Sequence, residues 1–261
     1  MGGLCNHAVE LTGLAGDRTS PIHRLDPRAK IIGLFGVTVV AVTTPLAAWP
    51  VFAACALTLV AVAVTARVPA AIVWRRARVV LPLILFVAAF LPFFRSGGAA
   101  HHLGPFTVSD AGLAVLATVA LKATIGTVSA VLLGATTTFP AVLRGLEAMH
   151  MPRLFTLIAA FMYRYLFVIV EEVQRMRAAL AARAYRPRHA LQAAAIGRAS
   201  SALFVRTYGR GERVYLAMLA RGYRGTMPAL TPLALTRTDV AFAAALAGGL
   251  AALRIAAGVA A

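Results

Sequence analysis

Six near-continuous apolar stretches dominate this chain: Ile31–Ala48, Val51–Ala66, Val79–Phe94, Gly112–Leu133, Phe155–Val170 and Val240–Ala260. A helix needs about 20 apolar residues to cross the hydrocarbon of a bilayer. Backbone in lipid must also satisfy its own polar groups, which restricts spanning segments to helices and closed barrels. Runs of this length therefore predict an all-α integral membrane protein. The composition agrees, with only 13% charged residues and a mean hydropathy of +0.80, where a soluble domain carries roughly 25% charged residues. Trp49-Pro50 marks a tight turn between the first two runs, with an aromatic residue at the interface. Gly248-Gly249 in the sixth run suits close helix contact in lipid.

The charged residues then orient the runs. Arg18, Arg24, Arg28 and Lys30 precede the first run, and Arg67, Arg75, Arg76 and Arg78 lie between the second and third. The turn near 45–50 has no charge, and the loop 95–111 holds only Arg95 and Asp110. Positive residues are retained on the cytoplasmic side, so the N-terminus is expected in the cytoplasm of a multi-pass cell-membrane protein. Residues 1–30 have no apolar signal-peptide core, leaving the first span as the targeting signal. The formal charge of +17 is accounted for by this asymmetry rather than by nucleic acid, since no basic patch is interleaved with stacking aromatics on a soluble fold.

The fifth run decides the architecture. A crossing at Phe155–Val170 would leave twelve arginines outside in residues 171–237, and would place Arg164 mid-membrane, where a charge costs at least about 2.5 kcal/mol. The run is also short for a span. The expected layout is a cytoplasmic tail (1–30), four membrane helices (31–138), a cytoplasmic helical module (139–237) and a fifth membrane helix (238–261). Within the module, Thr138 and Pro140 start a short helix through His150, and Pro152 ends it. A long helix is expected from Leu154 to Tyr185, stopped by Pro187 and supported by Glu171 and Glu172 three and four residues from Arg175. Two further helices are expected over His189–Tyr208 and Arg210–Arg221, the last closed by Gly222 as a left-handed residue.

Two short motifs stand out in that module. Ala182-Arg183-Ala184-Tyr185 and Ala220-Arg221-Gly222-Tyr223 each put an arginine at a helix C-terminus between small residues. Such an arginine can steady the negative end of its own helix or make a bidentate contact with a partner's carboxylate. At the other end of the chain, Asp26 and Pro27 form an ordinary helix start, with Asp26 as N-cap and Pro27 in the first turn.

In order along the chain, Ser20-Pro21-Ile22-His23-Arg24-Leu25-Asp26-Pro27, Thr136-Thr137-Thr138-Phe139-Pro140, Gly145-Leu146-Glu147 with Pro152, Tyr163-Arg164-Tyr165-Leu166 with Glu171-Glu172, and Leu216-Ala217-Met218-Leu219-Ala220-Arg221-Gly222-Tyr223 resemble the transmembrane T component of energy-coupling-factor transporters, closest to the cobalt/nickel CbiQ-type branch. The resemblance implies that 139–237 are coupling helices docking in grooves of two ATP-binding-cassette ATPase subunits. It also implies a separate cobalt- or nickel-capturing S component in the membrane, with Arg183 and Arg221 as the contacts that transmit movement. Ala184 stands where glycine or serine is usual in that family.

Other chemistry has little support. Lys122 falls near the middle of the fourth run, and an intramembrane charge is a functional candidate by default; the bland reading is a lysine facing the bundle or snorkelling outward. An embedded enzyme would have to draw on Lys122, His101 and Asp110, and a secondary carrier would need polar, broken helices at mid-membrane. The spans offer almost no such residues. His101-His102 is a poor metal site without carboxylates, and Cys5 and Cys55 have no ligand spacing and no reason to pair. No phosphate-binding G-x-x-x-x-G-K-[ST] loop is present. No cofactor is expected, and ATP hydrolysis is assigned to separate subunits.

Overall fold

The computed structural model describes residues 20–45, 48–78, 82, 86, 100–103, 106–185, 194–225 and 234–259. Most of the third apolar run, and Cys5, lie outside them. The elements are α1 (Pro21–Arg24), α2 (Pro27–Thr43), α3 (Trp49–Thr65), α4 (70–78), a two-stranded antiparallel hairpin of β1 (Ala100–Leu103) and β2 (Phe106–Ser109), α5 (Asp110–Thr136), α6 (Phe139–Ala148), α7 (Arg153–Ala182), α8 (Ala194–Ala220) and α9 (Arg237–Ala243). A π-helical turn, Ala244–Gly248, joins α9 to α10 (Gly249–Val259). The chain is an all-α membrane protein but for the hairpin, which pairs His101 with Val108 and His102 with Thr107.

Two compact units divide it: residues 1–149 with 233–261, and residues 150–232. The first unit is built on α2. Ala29, Gly33, Leu34, Val37, Val40 and Ala41 are buried on one side of that helix, while Phe35 is 67% exposed and Ile32, Val39 and Val42 are exposed on the other. The neighbouring α3 repeats the arrangement, burying Val51, Phe52, Cys55, Leu59 and Val62 and exposing Leu57, Val60 and Val64. A helix apolar all round is one surrounded by core or lipid, and these outward stripes have the chemistry of a lipid-facing surface.

Lipid is as apolar as leucine, so helix association in it depends on close fit and polar contacts. The close fit lies in α2. A Cβ added at Gly36 would come within 2.5 Å of Ala247 Cβ, and one at Gly33 within 3.0 Å of Leu246 Cδ1. The expectation that Gly248-Gly249 makes the close approach is thus corrected: both face open space, and the glycines in contact belong to the partner helix. Gly145 of α6 is similarly tight, 3.1 Å from both Ile31 Cδ1 and Pro27 Cβ. Helix α6, which the sequence reading grouped with the cytoplasmic module, packs on the start of α2 and clusters with the first unit.

The second unit contains α7 and α8. Two helices were expected over His189–Tyr208 and Arg210–Arg221, but α8 runs unbroken through Gly209 and Gly211. An interior glycine costs a helix only about 1 kcal/mol, and no proline removes a hydrogen bond there. Helix α7 is 30 residues long and, like Ala114–Thr136, is long and apolar enough to cross a membrane by length and composition. The shortness of Phe155–Val170 therefore no longer argues against a crossing; Arg164 and the arginines beyond it still do.

Gly36→Ala should destabilise the first unit by about 1–3 kcal/mol through overpacking. Thermal unfolding in detergent should show the loss, and Ala247→Gly in the same chain should recover most of it.

Candidate functional site

Three helix ends meet in one polar knot. Asp26 caps α2, its Oδ1 accepting from the Arg28 amide at 2.9 Å, with Pro27 in the first turn where no donor is needed. The Asp26 amide donates to Asp239 Oδ1 at 2.8 Å, across 213 residues of sequence. Asp239 belongs to the first turn of α9 and closes a capping box with Thr236: its Oδ2 accepts from the Thr236 amide at 2.8 Å and from Thr236 Oγ1 at 2.5 Å. Lys30, only 2% exposed, donates from Nζ to Thr136 O at the end of α5 and to His23 O, each at 3.2 Å. Its ammonium lies in the field of Asp239 and Asp26. The N-termini of α2 and α9 and the C-terminus of α5 therefore share one end of the bundle. Ser20 Oγ adds the end of α3 by donating to Thr65 O at 2.5 Å.

At the far end of α2 two cations meet its last carbonyls. Lys122 Nζ donates to Val42 O at 2.7 Å, and Arg254 from α10 donates to Thr43 O at 3.2 Å. The last C=O groups of a helix have no partner within it, so Lys122 is occupied in capping. Its part in an embedded enzyme loses its main support. Arg254, Lys30 and Asp239 were not singled out from sequence, although Thr236-x-x-Asp239 is a readable capping-box pattern.

In the second unit, the two arginine motifs adopt one and the same backbone turn. At the end of α7 the Tyr185 amide donates to Leu180 O at 3.1 Å and the Ala184 amide to Ala181 O at 3.0 Å. At the end of α8 the Tyr223 amide donates to Met218 O at 3.0 Å and the Gly222 amide to Leu219 O at 2.9 Å. Both are Schellman caps, with Arg183 and Arg221 as the C-cap and the next residue left-handed: Ala184 at φ 53° and Gly222 at φ 79°. Ala182 and Ala220 end the helices. Both arginines are exposed, and neither makes an ion pair among the described residues; Tyr185 and Tyr223 are half-buried.

The pair is spread out rather than brought together. Glu172 links the helices, accepting from Arg206 at 2.7 Å and from Arg175 at 2.7 Å. Val173 and Met176 of α7 and Ala199 and Leu203 of α8 line a groove of about 490 Å³ between them, closed by Tyr185 beside Ile196. From Ile196, which lines the groove with Tyr185, to Arg221 is 25 residues, about 37 Å of helix at 1.5 Å per residue. Arg164, exposed on α7, has its guanidinium 5.9 Å from the Tyr165 ring centroid. Among the described residues no His, Cys, Asp and Glu gather in a group that could hold a metal ion.

Apolar outward stripes, polar end-caps and a separate helical unit define an all-α membrane protein. Residues 18–232 match the CbiQ family of cobalt transport proteins, and the chain belongs to it. It is 25% identical over 218 residues to a protein of Methanocorpusculum labreanum bearing the name of a fused cobalt transport protein, CbiMQ, covering 80% of this chain and 36% of that one. It is 31% identical over 114 residues to an uncharacterized protein of Methanocaldococcus jannaschii, covering 43% of this chain and 39% of the relative. The chain thus spans under two-fifths of the length of each.

Two outcomes follow from this geometry. A left-handed alanine costs about 1–2 kcal/mol over glycine, so Ala184→Gly should slow hydrogen exchange in the last turn of α7, and Gly222→Ala should speed it in α8 by a similar amount. The hydrogen bonds from Arg175 and Arg206 hold the Glu172 carboxyl below its usual range. The tie it makes is therefore present above the ordinary carboxylate pKa and is lost as pH falls through the lowered one. Cross-linking of cysteines placed at positions 176 and 203 should persist at mildly acid pH and weaken only below it, and Glu172→Gln should abolish that dependence.

Proposed function

We propose that this chain is the energy-coupling transmembrane subunit of an ATP-driven energy-coupling-factor importer carrying cobalt or nickel ions. The observation that carries the reading is the matched pair of Schellman caps, each presenting an exposed arginine without a carboxylate partner among the described residues. Arginine suits bidentate recognition of carboxylates at a protein interface. Two equal presentations suit two ATP-binding-cassette subunits. Ala182, Ala184, Ala220 and Gly222 leave room for the approaching backbone. ATP is hydrolysed in those subunits, and this chain passes their movement through α7 and α8 to a membrane S component that captures the ion. The name of the Methanocorpusculum labreanum relative agrees with cobalt as cargo.

The layout proposed is a multi-pass cell-membrane protein with its N-terminus in the cytoplasm, five membrane helices and a cytoplasmic coupling module. Helix-end positions support it. Residues 137–235 leave the knot at Thr136 and come back to it at Thr236, so they cross the membrane an even number of times or not at all. A lone crossing by α7 does not fit.

Co-expression with the candidate ATPases, mild solubilisation and affinity recovery through this chain test the reading. Stoichiometric ATPase recovery should fall at least tenfold for Arg221→Glu, roughly the 1.5–3 kcal/mol of a charge-assisted hydrogen bond, and for Arg183→Glu as well. A folded wild-type chain that recovers no ATPase would sink the coupling role.

A further inference from the structure

A second apolar groove, of about 430 Å³, lies in the first unit between α3 and the α9–π segment. Thr58, Ala61 and Thr65 form one wall, and Thr238, Phe242 and Ala245 the other. Thr58 to Thr65 is two turns of helix, so the groove extends roughly 10 Å into the bilayer from the face that carries the knot. Ile22 and Leu25 close it at that face. Its threonines present little polarity: Thr58 Oγ1 donates to Ala54 O at 2.6 Å and Thr65 Oγ1 to Ala61 O at 2.7 Å, while Thr238 Oγ1 pairs with Thr236 Oγ1 at 2.7 Å. With those hydroxyls engaged, the walls offer methyl groups and suit a hydrocarbon occupant.

The mouth has the opposite character. Arg24 and Arg237 are the chain neighbours of the lining residues Leu25 and Thr238; both are exposed and make no ion pair among the described residues. The neighbouring carboxylates are buried and engaged, Asp26 by the Arg28 amide and Asp239 by Thr236 and the Asp26 amide. An apolar slot opening sideways to lipid, with two free guanidinium groups at headgroup level, matches the chemistry of one molecule: an amphiphile with a hydrocarbon chain and a negative head.

We propose that this groove holds one acyl chain of an anionic phospholipid whose phosphate is bound by Arg24 and Arg237. The lipid completes the packing of α3 against α9, where the side chains of the described residues leave a gap. The site requires only that the chain lies in a bilayer, so failed ATPase recovery would leave it standing.

Native mass spectrometry of the detergent-purified chain loaded with equal phosphatidylglycerol and phosphatidylcholine tests this. The wild type should retain one phosphatidylglycerol with a preference on the order of thirtyfold, from about 1 kcal/mol for each arginine at the headgroup. Arg24→Gln with Arg237→Gln should bring the preference near parity, and the double lysine variant should keep it. Ala61→Trp should lose the retained lipid of either headgroup. Helix content and lipid-free melting temperature matching wild type would show that the variants fold. A preference unchanged in the glutamine pair, or a lipid retained by a folded Ala61→Trp chain, would overturn the site; should Ala61→Trp not fold, Ala61→Leu takes its place with the same two outcomes.

Discussion

A lysine only 2% exposed at one end of the helical bundle is the constraint on which the rest of the bundle depends. Desolvating such a charge costs several kcal/mol unless its surroundings replace water. Here two backbone carbonyls and the field of two aspartates do so. Each of those groups is itself a helix end in need of a partner: α5 supplies an unpaired terminal carbonyl, and the caps of α2 and α9 supply the carboxylates. The costs cancel only when all three ends arrive together. One correct arrangement of helices satisfies the knot, and a slipped or inverted one strands a charge.

The opposite end of α2 obeys the same logic with the sign reversed. Its final carbonyls carry the negative end of the helix dipole and take Lys122 and Arg254. Between these polar ends the contacts are apolar and close, with Gly33 and Gly36 admitting Leu246 and Ala247. Polar groups at the ends set which helices are neighbours, and glycine between them sets how near they come.

What the sequence made legible was local. Apolar length, the Asp26-Pro27 start and the helix stops at Arg183 and Arg221 are each written within a few residues, because capping and hydrophobic length act over one turn or one span. The knot was not legible, since its bonds join residues 106 and 213 positions apart and nothing near Lys30 advertises Thr136. The glycine contact was assigned to the wrong helix for a related reason: a small residue shows that close approach is possible, but not which surface comes near. The continuity of α8 through Gly209 and Gly211 was missed because glycine weakens a helix without ending it. The shared geometry of the two arginine motifs was half visible, with Gly222 readable as left-handed and Ala184, an alanine at positive φ, not.

The knot joins α2 to α9 and its counterpart joins α2 to α10, over 213 and 211 residues. During synthesis α2 therefore enters the membrane long before its partners exist. Until α9 and α10 leave the ribosome, the Asp26 amide and the Thr43 carbonyl must be met by water, lipid headgroups or the insertion machinery. The bundle closes in one late step, so a chain broken anywhere before Thr236 is left with an open first helix, a state suited to recognition by quality-control proteases.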